Sequence, residues 1–154
     1  MADRSTHPPT SAPEPTPPDA PGRRRRALVV DDDDLARRML GAILRLEGFQ
    51  VVTADDGLAG LRALVDEVLD LDVLVTDVRM PGMDGAELVR RVRQVGGERD
   101  LGIVVVTAAP PDAAHLSRLG VDAVIGKTDG VDAIAAAVDM ASMRAARARG
   151  AGSG

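Results

Sequence analysis

Four consecutive aspartates, Asp31-Asp32-Asp33-Asp34, follow the apolar run Ala27-Leu28-Val29-Val30, and a further aspartate, Asp77, closes a second apolar run over residues 73–76. Like charges at that density are costly to fold together unless something cationic neutralises them. A hard divalent ion such as Mg2+ takes oxygen ligands from carboxylates, carbonyls and water. Asp31 and Asp32 are the best placed as ligands. Asp33 and Asp34 suit the start of a helix, where negative charge favours the dipole and one of them can cap. Helix capping with solvated charge would also account for the whole run. Asp77 leads into Met80-Pro81-Gly82-Met83-Asp84-Gly85, in which proline fixes one φ and the glycines permit backbone angles closed to other residues. That loop can bring main-chain carbonyls close to whatever Asp77 holds. Aspartate is equally a favoured cap for a following helix, and this second reading of Asp77 stands beside the first.

Two more residues complete the reactive inventory. Thr107 closes the run Ile103-Val104-Val105-Val106 and is followed by two alanines, which leave access to a hydroxyl able to donate to a phosphoryl oxygen. Lys127 is the only lysine beside 18 arginines. A compact ammonium making a point contact to carboxylate or phosphate is not replaceable by a planar guanidinium fork. Both have bland readings too: threonine is common in strands, and a lone lysine suits any surface loop.

The elements that must position these residues alternate. Short β-branched runs predict strands over 27–30, 49–54, 73–76, 103–107 and 123–125, the third buried on both faces. Helical spacing predicts helices from Asp34 or Leu35 to Leu46, over the Leu58, Leu61, Leu64, Val65, Val68, Leu69 stripe, and over 86–95. Two more are predicted over 112–119 and from Val131 to about Arg147, with Gly48, Gly96-Gly97 and Pro110-Pro111 as stops. Strand and helix in alternation imply βαβ units with right-handed crossovers and a parallel sheet. Ligand crevices in such sheets lie outside the carboxyl ends of the strands, where Asp31, Asp32, Asp77, Thr107 and Lys127 all fall.

Composition narrows the function. With 154 residues the chain suits one domain, and with one Phe and no Trp or Tyr its core is aliphatic. Stacking platforms for single-stranded nucleic acid are absent. No cysteine is present, which excludes thiolate metal sites and fits a cytoplasmic location. No apolar stretch is long enough to predict a membrane span. The net charge of −5 is uneven: residues 1–26 carry +2, residues 27–143 carry −10, and residues 144–154 carry +3. An acidic globular part is a poor partner for a phosphate backbone, so no direct nucleic-acid contact is expected. Residues 1–26 hold seven of the ten prolines and end in four arginines, and read as a disordered arm. Residues 144–154 read as a flexible tail.

Leu28-Val-Val-Asp-Asp-Asp33, Val75-Thr-Asp-Val-Arg-Met-Pro-Gly-Met-Asp-Gly85, Val105-Val-Thr-Ala108 and the later Lys127 resemble, in order and separation, the receiver domain of two-component response regulators. The resemblance covers residues 27–143 and implies a flavodoxin-like (βα)5 three-layer sandwich with strand order 2-1-3-4-5. It implies phosphorylation of Asp77 by a histidine kinase or a phosphotransfer protein. Mg2+ would be held by Asp31, Asp32, Asp77 and the main-chain carbonyl of Arg79, while Thr107 and Lys127 would hold the phosphoryl oxygens. Signalling to a downstream protein, and possible homodimer formation, would use the fourth helix, fifth strand and fifth helix. Val124 stands where many receivers have an aromatic residue and Thr128 where many have proline, so the aromatic switch is missing. Only 11 residues follow Met143, which leads to the expectation of a stand-alone receiver without an output domain. Two alternatives accompany this reading: a pseudo-receiver that docks partners without phosphorylation, and a haloacid dehalogenase-type phosphatase with Asp31 as nucleophile.

Overall fold

A computed structural model of the protein describes residues 24–67, 71–96, 100–108 and 113–152. The proline-rich arm as far as Arg23, Val68, Leu69, Gly97, Ala109, Pro110, Pro111, Asp112 and the last two residues lie outside them. Five strands and five helices alternate: β1 (Arg26–Val30), α1 (Asp34–Leu46), β2 (Gln50–Ala54), α2 (Gly57–Glu67), β3 (Val73–Thr76), α3 (Gly85–Gly96), β4 (Gly102–Thr107), α4 (Ala113–Arg118), β5 (Ala123–Gly126) and α5 (Val131–Gly152). All strand pairings are parallel and the order is β2-β1-β3-β4-β5, as expected.

Alternation along each strand splits the core into two layers. Leu28, Val30, Leu74, Ile103 and Val105 face Leu64 of α2, Leu88, Val89 and Val92 of α3, and Leu116 of α4. Ala27, Val29, Val73, Val75, Val104 and Val106 face Leu40, Ile43 and Leu44 of α1 and Ile134, Ala137, Val138 and Ala141 of α5. β3 and β4 are buried along their whole length, which is why their sequences are unbroken aliphatic runs rather than alternating ones. Close packing shows at Gly102, where a Cβ would meet the backbone of Ala141 at 2.7 Å, so α5 lies directly on β4.

The last helix outruns its expected end. α5 continues past Arg147 to Gly152, and the stretch expected as a flexible tail is helical as far as that residue. Apolar periodicity fades there because the end is held by charge. Arg144 Nη2 donates to Asp122 Oδ2 at 3.1 Å, and Arg149 donates to the buried Asp72 carboxylate at 2.7 Å and to the carbonyl of Asp100 at 3.1 Å. Alanine supplies the helix propensity between these anchors.

The order reverses between β1, which pairs with β2 on one side, and β3 on the other. That is the topological switch point, and Asp31 and Asp77 follow the two strands that form it.

Candidate phosphoacceptor and metal site

Asp31 directly follows β1 and is fully buried. Its amide donates to Ala54 at 3.2 Å, and its Oδ1 accepts from the amide of Asp33 at 2.9 Å. Asp33 itself is the N-cap of α1, its carboxylate accepting from Leu35 and Ala36, which is one of the roles expected for the tail of the aspartate run. Asp32 is exposed at the rim.

Asp77 follows β3 and is 7% exposed. Its amide donates to the carbonyl of Val30 at 3.0 Å, tying it to β1, and its Oδ1 accepts from the amide of Val78 at 2.7 Å. It does not cap α3. Asp84 does, accepting from the amide of Glu87 at 2.8 Å, so Asp77 is released from the structural role that the sequence left open. The loop between them is shaped by two needs. Gly82 has φ +76°, a left-handed conformation, and a Cβ at Gly85 would lie 2.1 Å from the carbonyl oxygen of Asp77. With only hydrogen there, the Gly85 amide reaches the carbonyl of Val78 at 2.7 Å and closes the turn. Met80 is buried in the core, which anchors the loop, while Arg79 is exposed.

Lys127 follows β5. Its amide donates to the carbonyl of Thr107 at 2.8 Å, which joins the ends of β4 and β5 and sets Thr107, 3% exposed, beside it along the rim. The Lys127 Nζ lies 2.9 Å from Asp31 Oδ2 and donates to Asp77 Oδ2 at 3.1 Å. Burial works to lower its pKa, but the attraction of the Asp31 and Asp77 carboxylates outweighs it and raises the value above the ordinary one. For Asp31 burial dominates, and its carboxyl is pushed up despite Lys127 and the Asp33 amide. No peptide bond among the described residues is cis, so Lys127-Thr128 is trans. Val124 is half-buried and packs against the α2–α3 side of the core.

Ligand atoms of Asp31, Asp32 and Asp77 all lie within 4.8 Å of one another. Although Asp31 Oδ2 is close to the lysine, it makes no hydrogen bond of acceptable geometry and is buried. A buried carboxylate oxygen without a hydrogen-bond donor, one of three hard oxygen donors gathered here, fits a small divalent cation such as Mg2+. Sequence reasoning missed Arg37, whose guanidinium donates to the carbonyl of Asp31 at 2.8 Å and to Asp34 Oδ1 at 2.6 Å. Its signal was a cation in the first turn of a helix, where the dipole disfavours one.

The family model for the response regulator receiver domain matches residues 27–139, and the chain belongs to that family. It is 37% identical over 113 residues to the transcriptional regulatory protein GlrR of Escherichia coli (strain K12), covering 72% of this chain and 24% of that protein. To the sensor histidine kinase RcsC of Salmonella typhi it is 33% identical over 98 residues, covering 64% of this chain and 10% of that protein. The chain thus spans a quarter or less of the length of these relatives. The signal receiver domain of the putative response regulator NarL from Mycobacterium tuberculosis superposes with a TM-score of 0.68 at 28% identity, over 78% of this chain and 97% of that one. A chemotaxis protein of Vibrio cholerae does so with a TM-score of 0.69 at 25% identity, over 77% and 98%.

The chain is therefore a receiver domain of the two-component type, with the flavodoxin-like fold. This membership leaves the phosphatase alternative without support. No helix among the described residues is long and apolar enough to cross a membrane.

Proposed function

We propose that Asp77 is the phosphoacceptor and that Asp31, Asp32, Asp77 and the Arg79 carbonyl hold Mg2+ beside it. The observation that carries this reading is the Lys127 ammonium set between Asp31 and Asp77 within a cluster of three carboxylates. A histidine kinase or phosphotransfer protein presents a phosphohistidine at the rim. An Asp77 oxygen forms the new bond to phosphorus as the P–N bond breaks, and the electron pair leaves with the imidazole. Lys127, already poised at Asp77 Oδ2, turns its ammonium to the phosphoryl oxygens, and the Thr107 hydroxyl donates to another. A divalent ion held there would supply positive charge that offsets the charge on the transferring group. Water attack on phosphorus later breaks the acyl phosphate bond, releases inorganic phosphate and returns the Asp77 carboxylate.

Output is carried by protein contacts on α4, β5 and α5, with movement of Thr107 altering that face. Because Val124 is aliphatic, no aromatic rotation accompanies the change. The test is phosphorylation by acetyl phosphate with and without Mg2+, read by intact mass. Wild type gains one phosphoryl group in a Mg2+-dependent manner and Asp77→Asn gains none. An adduct on Asp77→Asn would move the acceptor elsewhere, and no adduct on wild type would favour the pseudo-receiver.

A further inference from the structure

We propose that Arg37 is a positioning residue that holds the Asp31-Asp32 turn in its metal-binding form, an inference that rests on the Mg2+ site proposed above. Arg37 is the fourth residue of α1, and its own amide makes the helix's first backbone bond, to Asp33 at 2.9 Å. Its side chain, only 18% exposed, folds back over the helix N-terminus instead of extending into water. There the two arms of the fork divide, one donating to the main-chain carbonyl of Asp31 and the other to the carboxylate of Asp34.

The main chain at Asp31 is held on both sides, its amide by Ala54 and its carbonyl by Arg37, while its Oδ1 is held by Asp33. Oδ2 is then the oxygen turned to Lys127, and it has no hydrogen-bond donor. The turn is thus fixed before any ion arrives, which spares the site a rearrangement on loading. Neighbouring Arg38 supplies the contrast. It pairs with the same Asp34 at 3.2 Å, but its side chain is 77% exposed and no contact takes it to Asp31.

Charge and positioning make opposite forecasts. Arg37 as a mere cation beside an acidic site repels a divalent ion, so its removal tightens binding. Arg37 as a brace aids the ion, so its removal weakens binding. Calorimetric titration with MgCl2 separates them, with urea unfolding as the check on folding. Arg37→Gln weakens Mg2+ binding about tenfold, the scale of losing a partner that orients a metal ligand. Arg37→Lys falls between it and wild type, since an ammonium reaches one acceptor but cannot span both. Arg38→Gln stays within about threefold of wild type, on the tighter side.

Binding by Arg37→Gln as tight as wild type, or tighter, overturns the role. Should that variant fail to fold, Arg37→Lys decides, because it keeps the charge and loses the fork; wild-type affinity there overturns the proposal. Absence of Mg2+ uptake by wild type removes the metal site and this role with it, whereas binding by wild type with no loss in the Arg37 variants refutes this role alone.

Discussion

Replacing Lys127 by methionine keeps an unbranched side chain and removes the charge, which isolates what the ammonium does for three crowded carboxylates. In wild type the Nζ lies 2.9 Å from Asp31 Oδ2 and 3.1 Å from Asp77 Oδ2, on a side chain 16% exposed. At an effective dielectric constant of about 20 each contact amounts to about 5 kcal/mol before the cost of stripping water from the charges. That gross figure does not set the loss, because the variant has an easier escape: one buried carboxylate takes up a proton. For a carboxyl of ordinary pKa near about 3.9 this costs about 1.4 kcal/mol per pH unit, hence about 4 kcal/mol at pH 7 and about 1.5 kcal/mol at pH 5. Asp31 is the group that accepts it, since burial already pushes its pKa up. Between those pH values the folded variant holds a proton that its unfolded chain lacks, so its stability falls as pH rises. Wild-type Lys127 stays charged throughout, because the two carboxylates outweigh burial and raise its pKa. Urea unfolding in EDTA therefore gives Lys127→Met a deficit of about 3–4 kcal/mol at pH 7 and about 1–2 kcal/mol at pH 5. Millimolar Mg2+ shrinks the pH 7 deficit, because the ion binds the folded form of both proteins and binds the variant more tightly, with no ammonium left to repel it. An equal deficit at both pH values, untouched by Mg2+, would refute the reasoning.

Three further outcomes follow from contacts described above. Gly85→Ala forces a methyl toward the Asp77 carbonyl and lowers stability by about 1–3 kcal/mol in urea, with slower uptake of phosphate from acetyl phosphate. Asp84→Ala removes the cap of α3 and costs about 1 kcal/mol, while phosphorylation still reaches a single acceptor by intact mass, since Asp77 takes no part in that cap. Arg149→Ala deprives the buried Asp72 of one donor and frays the last turns of α5; circular dichroism shows fewer helical residues, and urea unfolding a loss of about 1–2 kcal/mol.

Much of the architecture was legible because its strands are short, β-branched and bounded by glycine, proline or aspartate. β3 could be read as a buried run from its side chains alone, and β4 shares that burial. The strand-end rule then gathered Asp31, Asp77, Thr107 and Lys127 on one rim, and the lysine stood out because every other basic position is arginine. What escaped was held by contacts distant in sequence or indifferent to apolar pattern. The end of α5 depends on Arg149 meeting Asp72, 77 residues away, so fading periodicity misled about where the helix stops. Whether Asp77 caps α3 stayed open until geometry gave the cap to Asp84, which the sequence reading had not considered. Arg37 was overlooked because a basic residue beside four acids reads as simple charge balance, and only its bond to the Asp31 carbonyl reveals a different task.

The knot around Asp72 also fixes where the described chain enters and leaves the sheet. Asp72 accepts from the Arg26 amide at the start of β1 and from Arg149 near the end of α5, so chain entry and chain exit share one pole of the sheet. Asp77 stands at the other pole, at the far end of the four-residue strand that begins just after Asp72. The described chain thus enters β1 and leaves α5 on the side away from Asp77, the proposed phosphoacceptor. A donor protein reaching Asp77, as proposed above, would approach the pole opposite to both.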